Sequence, residues 1–139
     1  MSGDRNKKAL HAAIERWNAG DGDGYFELYD RSLAYYGVPG EPLDYAATRA
    51  FYEAMWRAFP GGQLTIDEVI TEGEMLACRF HLSGDHKAPY LGVSATGRSI
   101  VLPGQTFMRF QDGRVVQRWT TGDLLGLLVQ LGAIPAPAS

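Results

Sequence analysis

Apolar positions recur at helical spacing through the first 59 residues and at strand spacing through most of the rest. Over residues 4–19, Leu10, Ile14 and Trp17 share a helical face, and Asp4 is placed to cap it. Gly20-Asp21-Gly22-Asp23-Gly24 ends that helix. Tyr25 to Tyr29 begins a second, short helix with Phe26 and Tyr29 on one side. Leu33-Ala34-Tyr35-Tyr36-Gly37-Val38 reads as a short strand, and Pro39-Gly40-Glu41-Pro42 as a turn. Asp44 to Phe59 predicts a third helix with Phe51, Met55, Trp56 and Phe59 as its stripe, stopped by Pro60-Gly61-Gly62.

Four strand-like runs follow: Gln63–Thr71, Met75–Gly84, Arg98–Asp112 and Arg114–Thr121. Glu72-Gly73-Glu74 and Asp112-Gly113 are hairpin signals, and Asp85–Gly97 is a longer loop. A short helix over Leu124–Leu131 closes the pattern, and Pro135-Ala136-Pro137 forms a tail. Helices first and strands after predict an α+β fold over residues 1–139, not alternating βαβ units. The third run is apolar on both faces: Leu102, Thr106, Met108 and Phe110 on one, Val101 and Phe107 with Arg109 on the other. A sheet covered on both sides needs helices or a ligand against one face and a partner against the other, so a homodimer is expected.

Composition narrows the function classes. The 139 residues, 45% of them hydrophobic, suffice for one domain with one core. No apolar run approaches the roughly 18 residues a membrane span needs. The polar start Met1-Ser2-Gly3-Asp4-Arg5 lacks a signal-like apolar stretch, so a cytoplasmic location and no membrane partner are expected. Cys78 is the single cysteine, which excludes an internal disulfide and a cysteine metal cluster. His11, His81 and His86 lack metal-type spacing, so no metal is expected. A net charge of −3 without a basic tract argues against nucleic acid. No glycine-rich phosphate loop is present, which argues against a nucleotide.

Several segments together resemble a known family. They are Trp17-Asn18-Ala19-Gly20-Asp21, Ala58-Phe59-Pro60, the loop from Gly84-Asp85-His86 through Pro89-Tyr90-Leu91-Gly92 to Thr96-Gly97-Arg98, Phe107-Met108-Arg109-Phe110 before Asp112-Gly113, and Asp123 ahead of Gln130-Leu131-Gly132. In this order they are similar to the SnoaL-like polyketide cyclases. The resemblance implies the cone-shaped α+β barrel of the nuclear-transport-factor superfamily, with N-terminal helices packed in the concave face of a strongly bent, mostly antiparallel sheet. It further implies an apolar cavity and a cofactor-free enzyme of aromatic-polyketide biosynthesis. In the founding cyclases a histidine and an aspartate on neighbouring strands carry an aldol ring closure. By the resemblance those positions fall on Thr106 and Thr120, and a threonine hydroxyl is no base near neutral pH. A closure that needs little base is therefore expected: epoxide opening by an internal hydroxyl, conjugate addition or cycloaddition.

Candidate chemistry then rests on other residues. Asp123 is either a general acid or base or the N-cap of the segment from Leu124. Arg118 shares strand parity with Thr120 and is a candidate for holding a carboxylate or an enolate-like oxygen. Tyr35 is the candidate phenol. The expected substrate-binding set is Tyr45, Trp56, Phe59, Tyr90, Thr106, Met108, Phe110, Trp119 and Thr120, with His81 and Gln105 as polar strand residues. His86 is read as a loop brace or a ligand contact. The expected partner is a small hydrophobic or aromatic, polyketide-like substrate, with no cofactor. Two other readings stay open. One is an epoxide hydrolase, hydratase or isomerase using Asp67 or Glu68 beside Asp123; the other is a non-catalytic binding protein.

Overall fold

Helix α1 (Ser2–Asn18) buries Asn6, Leu10, Ala13 and Trp17, spaced three or four apart along one face. It starts two residues before Asp4, which therefore lies in the first turn rather than at the cap. Gly20, at a φ of 79°, closes the helix: its N–H bonds to Trp17 and that of Asp21 to Arg16, the paired carbonyl contacts of a Schellman stop. Helix α2 (Gly22–Phe26) follows at once, capped by Asp21. It is shorter than its sequence suggests, because Tyr29 already opens strand β1 (Tyr29–Tyr36). Helix α3 (Tyr45–Ala58) is capped by Asp44, whose carboxylate accepts from the Ala47 N–H at 2.8 Å.

The computed structural model describes residues 2–136, so Pro137 of the expected tail lies outside the described residues. Four further strands, β2 (Gln63–Glu72), β3 (Met75–Asp85), β4 (Ser99–Gln111) and β5 (Arg114–Gly122), precede helix α4 (Leu124–Gln130). The sheet order is β1-β5-β4-β3-β2. The β1–β5 pair is parallel and the others are antiparallel. Asp112 and Gly113 both take positive φ, the geometry of a two-residue turn whose twist matches its strands. Asp67 is an extra residue between the Ile66–Phe80 and Glu68–Arg79 pairs, and the β4–β5 register shifts after Arg109. Such bulges bend a sheet, and helices α1 and α3 fill the concave side.

Strand β4 alternates without a break. Ile100, Leu102, Gly104, Thr106, Met108 and Phe110 are buried, and the intervening residues are exposed. The two faces of this strand are thus one core face and one open face, with Val101 and Phe107 left on the open one. The segment between β3 and β4 contains its own tight turn. Tyr90 and Val93 exchange backbone hydrogen bonds around Leu91 and Gly92, both at positive φ. Among the described residues no helix is long and apolar enough to cross a membrane.

Candidate active site

The helices and the bent sheet leave a cavity of about 130 Å³ between them. Leu10, Ile14 and Trp17 of α1, Phe51, Tyr52 and Met55 of α3, and Tyr25 of α2 close its helical side. Leu64, Ile66, Cys78, Phe80, Leu82, Leu102 and Met108 line the sheet side, with Tyr35, Arg118 and Thr120 from β1 and β5. Tyr90, Leu91, Val38 and Leu124 form its rim; Leu91 and Leu124 are exposed, so the cavity opens there. Gly37 belongs to the same rim. At its φ of 104° a Cβ would sit 1.9 Å from the Thr120 carbonyl oxygen, so only glycine lets β1 run this close to β5.

One charged side chain faces this apolar space. Arg118 is 5% exposed, and none of the other lining residues is Asp, Glu, Lys or His. Its Nε donates to Thr106 Oγ1 at 3.0 Å and to Thr120 Oγ1 at 2.9 Å. Thr106 passes its own proton to the Trp119 carbonyl at 2.9 Å, so Thr120 supplies the proton of the 3.0 Å bond between the two hydroxyls. Arg118 Nη1 donates to the hydroxyls of Tyr25, at 3.1 Å, and Tyr29. Those two hydroxyls are 2.7 Å apart, and the Tyr35 and Tyr52 hydroxyls form a second pair at 3.1 Å. The guanidinium also lies over the Tyr35 ring at 5.5 Å.

Burial sets the ionisation of the group. It pushes the Tyr29 and Tyr52 hydroxyls well above the usual phenol range, although Arg118 pulls both the other way. Burial likewise raises the Cys78 thiol, and it takes the Tyr90 phenol up to about 12. The phenols and the thiol are therefore neutral near pH 7 while Arg118 stays charged. This arrangement donates protons and stabilises negative charge; it offers no carboxylate or imidazole to take a proton.

The expected residues divide into three groups. Tyr35, Tyr90, Met108, Arg118 and Thr120 line the cavity, and Thr106 stands directly behind Arg118. Phe110 and Phe59 are buried core, with Phe59 against Tyr90 and His86, and Trp56 packs on Trp17 rather than on the cavity. The remaining five lie elsewhere. Asp123 is exposed and caps α4, accepting from the Gly126 N–H at 2.9 Å, so its carboxylate serves the helix and does not reach the cavity. Trp119 has the opposite parity to Arg118 and stacks on Tyr36 on the outer sheet face. His81 and Gln105 also point outward, His81 bonding to Asp67 at 3.0 Å. Tyr45 lies under Arg31 in an open cleft beyond the cavity.

His86 is fully buried and braces its loop: Nδ1 accepts from the Thr96 N–H at 3.1 Å and lies 3.0 Å from Thr96 Oγ1. Tyr52, one of the aromatics that the resemblance places on cavity-facing elements, lines the cavity, whereas Tyr25 and Tyr29 complete the polar cluster without any sequence expectation as site residues. Their phenol chemistry, shared with Tyr52, is the signal that was there to find.

A family model described as SnoaL-like polyketide cyclase matches residues 7–131. The chain belongs to the SnoaL-like polyketide cyclase family. Solved relatives share its architecture along nearly their whole lengths. AclR of Streptomyces galilaeus, a candidate hydroxylase, is 27% identical with a TM-score of 0.86, covering 94% of this chain and 97% of its own. TsrD of Streptomyces laurentii is 25% identical with a TM-score of 0.84, covering 94% and 97%. IdmH of Streptomyces antibioticus, a candidate polyketide cyclase, is 26% identical with a TM-score of 0.80, covering 91% and 98%. No curated protein matches the chain significantly. The fold of this SnoaL-like protein is thus the bent-sheet cone of its family.

Proposed function

We propose that this SnoaL-like protein is a cofactor-free cyclase that closes a ring in a polyketide-type intermediate inside the cavity. The observation that carries the reading is an apolar cavity with a single buried cation and no carboxylate or imidazole in its wall. Confining a flexible chain in a reactive conformation lowers the barrier by making attack effectively unimolecular. An internal hydroxyl or enol carbon adds to an enone or epoxide carbon, and negative charge grows on the electrophile's oxygen. Arg118 faces that charge, and the Tyr35–Tyr52 hydroxyl pair relays the proton in one concerted step: one phenol oxygen takes the proton the nucleophile loses and passes its own across the pair, and the other phenol gives its proton to the electrophile's oxygen, so both leave the step neutral. Substrate and product are isomers, so no cofactor is required.

The cavity is comparable to an engineered cavity of about 150 Å³ that takes one benzene. It therefore encloses one ring-sized portion at a time, with the rest of the substrate passing out beside Leu91 and Leu124. The hydrolytic reading loses its residues, because Asp67 and Glu68 pair with His81 and Arg79 on the outer sheet face.

The test is the closure of a synthetic linear hydroxy-enone, followed against buffer. Acceleration by the wild type, reduced roughly 10²- to 10³-fold in kcat by Arg118→Met, is the expected result. A rate equal to background with a panel of chain lengths refutes catalysis. Incorporation of labelled water oxygen would point to hydration instead.

A further inference from the structure

The hydrogen-bond count around Arg118 does not close within the protein. Among the described residues, Nε and Nη1 have protein acceptors, whereas Nη2, with two N–H groups, has none. Nη2 is also not sealed away, because among the described residues the buried polar atoms without a partner are Thr48 Oγ1 and His86 Nε2, and Arg118 lines the cavity. In the Tyr35–Tyr52 pair one proton makes the mutual bond and the other has no protein acceptor. Among the described residues no carboxylate forms an ion pair with Arg118. The site has surplus donors, a surplus positive charge and a mostly apolar surrounding wall. A buried charge is retained when it is paired, and the missing partner is then an acceptor that carries negative charge.

We propose that the ligand of this cavity is a ring-sized apolar molecule bearing a carboxylate, seated on Arg118 Nη2 beside the Tyr35 and Tyr52 hydroxyls. This deepens the cyclase reading by naming its substrate class, and it rests on the same cavity being the ligand site. Thr106 and Thr120 fix the fork by taking Nε, and Tyr25 and Tyr29 fix it by taking Nη1. The third nitrogen is left without a protein acceptor on a side chain that lines the cavity. Neutral phenols satisfy the guanidinium without cancelling its charge, so the field reaches the ligand.

The test uses two nearly isosteric probes, 4-ethylbenzoate and 4-ethylbenzamide, titrated into the full chain by calorimetry at pH 7. The wild type should bind the carboxylate at least tenfold more tightly than the amide. Arg118→Met should abolish that preference, which separates this seat from surface arginines. Thr120→Asp keeps the guanidinium but places a carboxylate beside Nε; it should reduce the preference below threefold while circular dichroism stays native. Equal or tighter binding of the amide, no binding of either probe at millimolar concentration, or an undiminished preference in Thr120→Asp overturns the proposal. Binding is read without turnover, so an anion preference with no ring closure would refute the cyclase and leave the seat standing.

Discussion

Substituting Gly104 by alanine should shrink the cavity from behind. Gly104 lies on the concave face of β4, directly across the ladder from Phe80 of β3. The Phe80 ring covers it so closely that an added Cβ would stand 2.6 Å from the ring's far carbon and 3.1 and 3.2 Å from its neighbours. Ordinary carbon contacts lie near 3.5–4.0 Å, so the ring must retreat by about 1 Å. The β3–β4 ladder holds the backbone behind it, and the free direction is into the cavity that Phe80 lines. Overpacking costs about 1–3 kcal/mol in a filled core. Here empty space absorbs the ring, so about 1 kcal/mol and a Tm drop of about 3 °C are expected. Ligand affinity should suffer more, because a misfit of one methylene is worth about 10- to 200-fold. Calorimetric titration with 4-ethylbenzoate beside a thermal melt reads both effects. Phe80→Leu in the same chain should restore most of the binding, as coupled neighbours do. Unchanged affinity in Gly104→Ala would show that the ring moves elsewhere and that Phe80 does not bound the ligand space.

Three further outcomes follow from named groups. Asp123→Ala should lower stability by about 1 kcal/mol through the lost α4 cap, while Asp123→Asn, itself a good cap, should keep both stability and turnover; loss of turnover in Asp123→Asn would restore Asp123 as a catalytic group. Tyr29, Tyr52 and Tyr90 have raised folded-state pKa values, so the unfolded chain releases these protons first. Their contribution is fully present below about pH 10 and is lost above it, by about 1.4 kcal/mol per pH unit for each tyrosine; a melting temperature flat from pH 9 to 11.5 would contradict that burial. The homodimer is proposed to form through the outer sheet face, where Ile70, Ala77, Phe107, Trp119 and Tyr36 make one row across all five strands, with Ile70 69% and Phe107 57% exposed. Phe107→Glu should shift sedimentation from dimer to monomer at micromolar concentration, and a wild type that already sediments as a monomer refutes the interface.

The parts of the site that period alone could place were visible in the sequence. Two-residue alternation puts Arg118 on the same face as Thr120, and the structure finds both in the cavity. The same rule sends Trp119 outward; grouping it with the cavity aromatics follows its ring chemistry and overrides its parity. Tyr45 fails for a different reason. It lies seven residues before Tyr52, on nearly the same helical face, but two turns of helix separate them by about 10 Å. Helical period names a face and does not say where along the axis a cavity ends. Tyr29 was hidden by an element boundary: read as helix it belongs with Phe26, whereas in β1 its hydroxyl turns toward Arg118. Asp67 likewise could not be recognised as a bulge, because one inserted residue appears only when strands β2 and β3 pair.

The threonine pair and the arginine make sense only together. By resemblance, Thr106 and Thr120 stand where the founding cyclases keep a histidine and an aspartate. An aspartate at 120 would lie within hydrogen-bond reach of the Arg118 Nε and would cancel its charge inside the cavity. Threonine fills the hydrogen-bonding need of Nε, 2.9 Å away, without supplying a negative charge. The aromatic walls then act as more than shape. They keep the effective dielectric low, so one uncancelled charge acts several-fold more strongly than it would in water. On the proposed reading, two hydroxyls in place of two proton-handling side chains forgo base catalysis and, by the same change, leave a preorganised cation to meet charge that develops on the substrate. A reaction whose barrier lies in stabilising an oxyanion suits such a site, and one whose barrier lies in abstracting a weakly acidic proton does not.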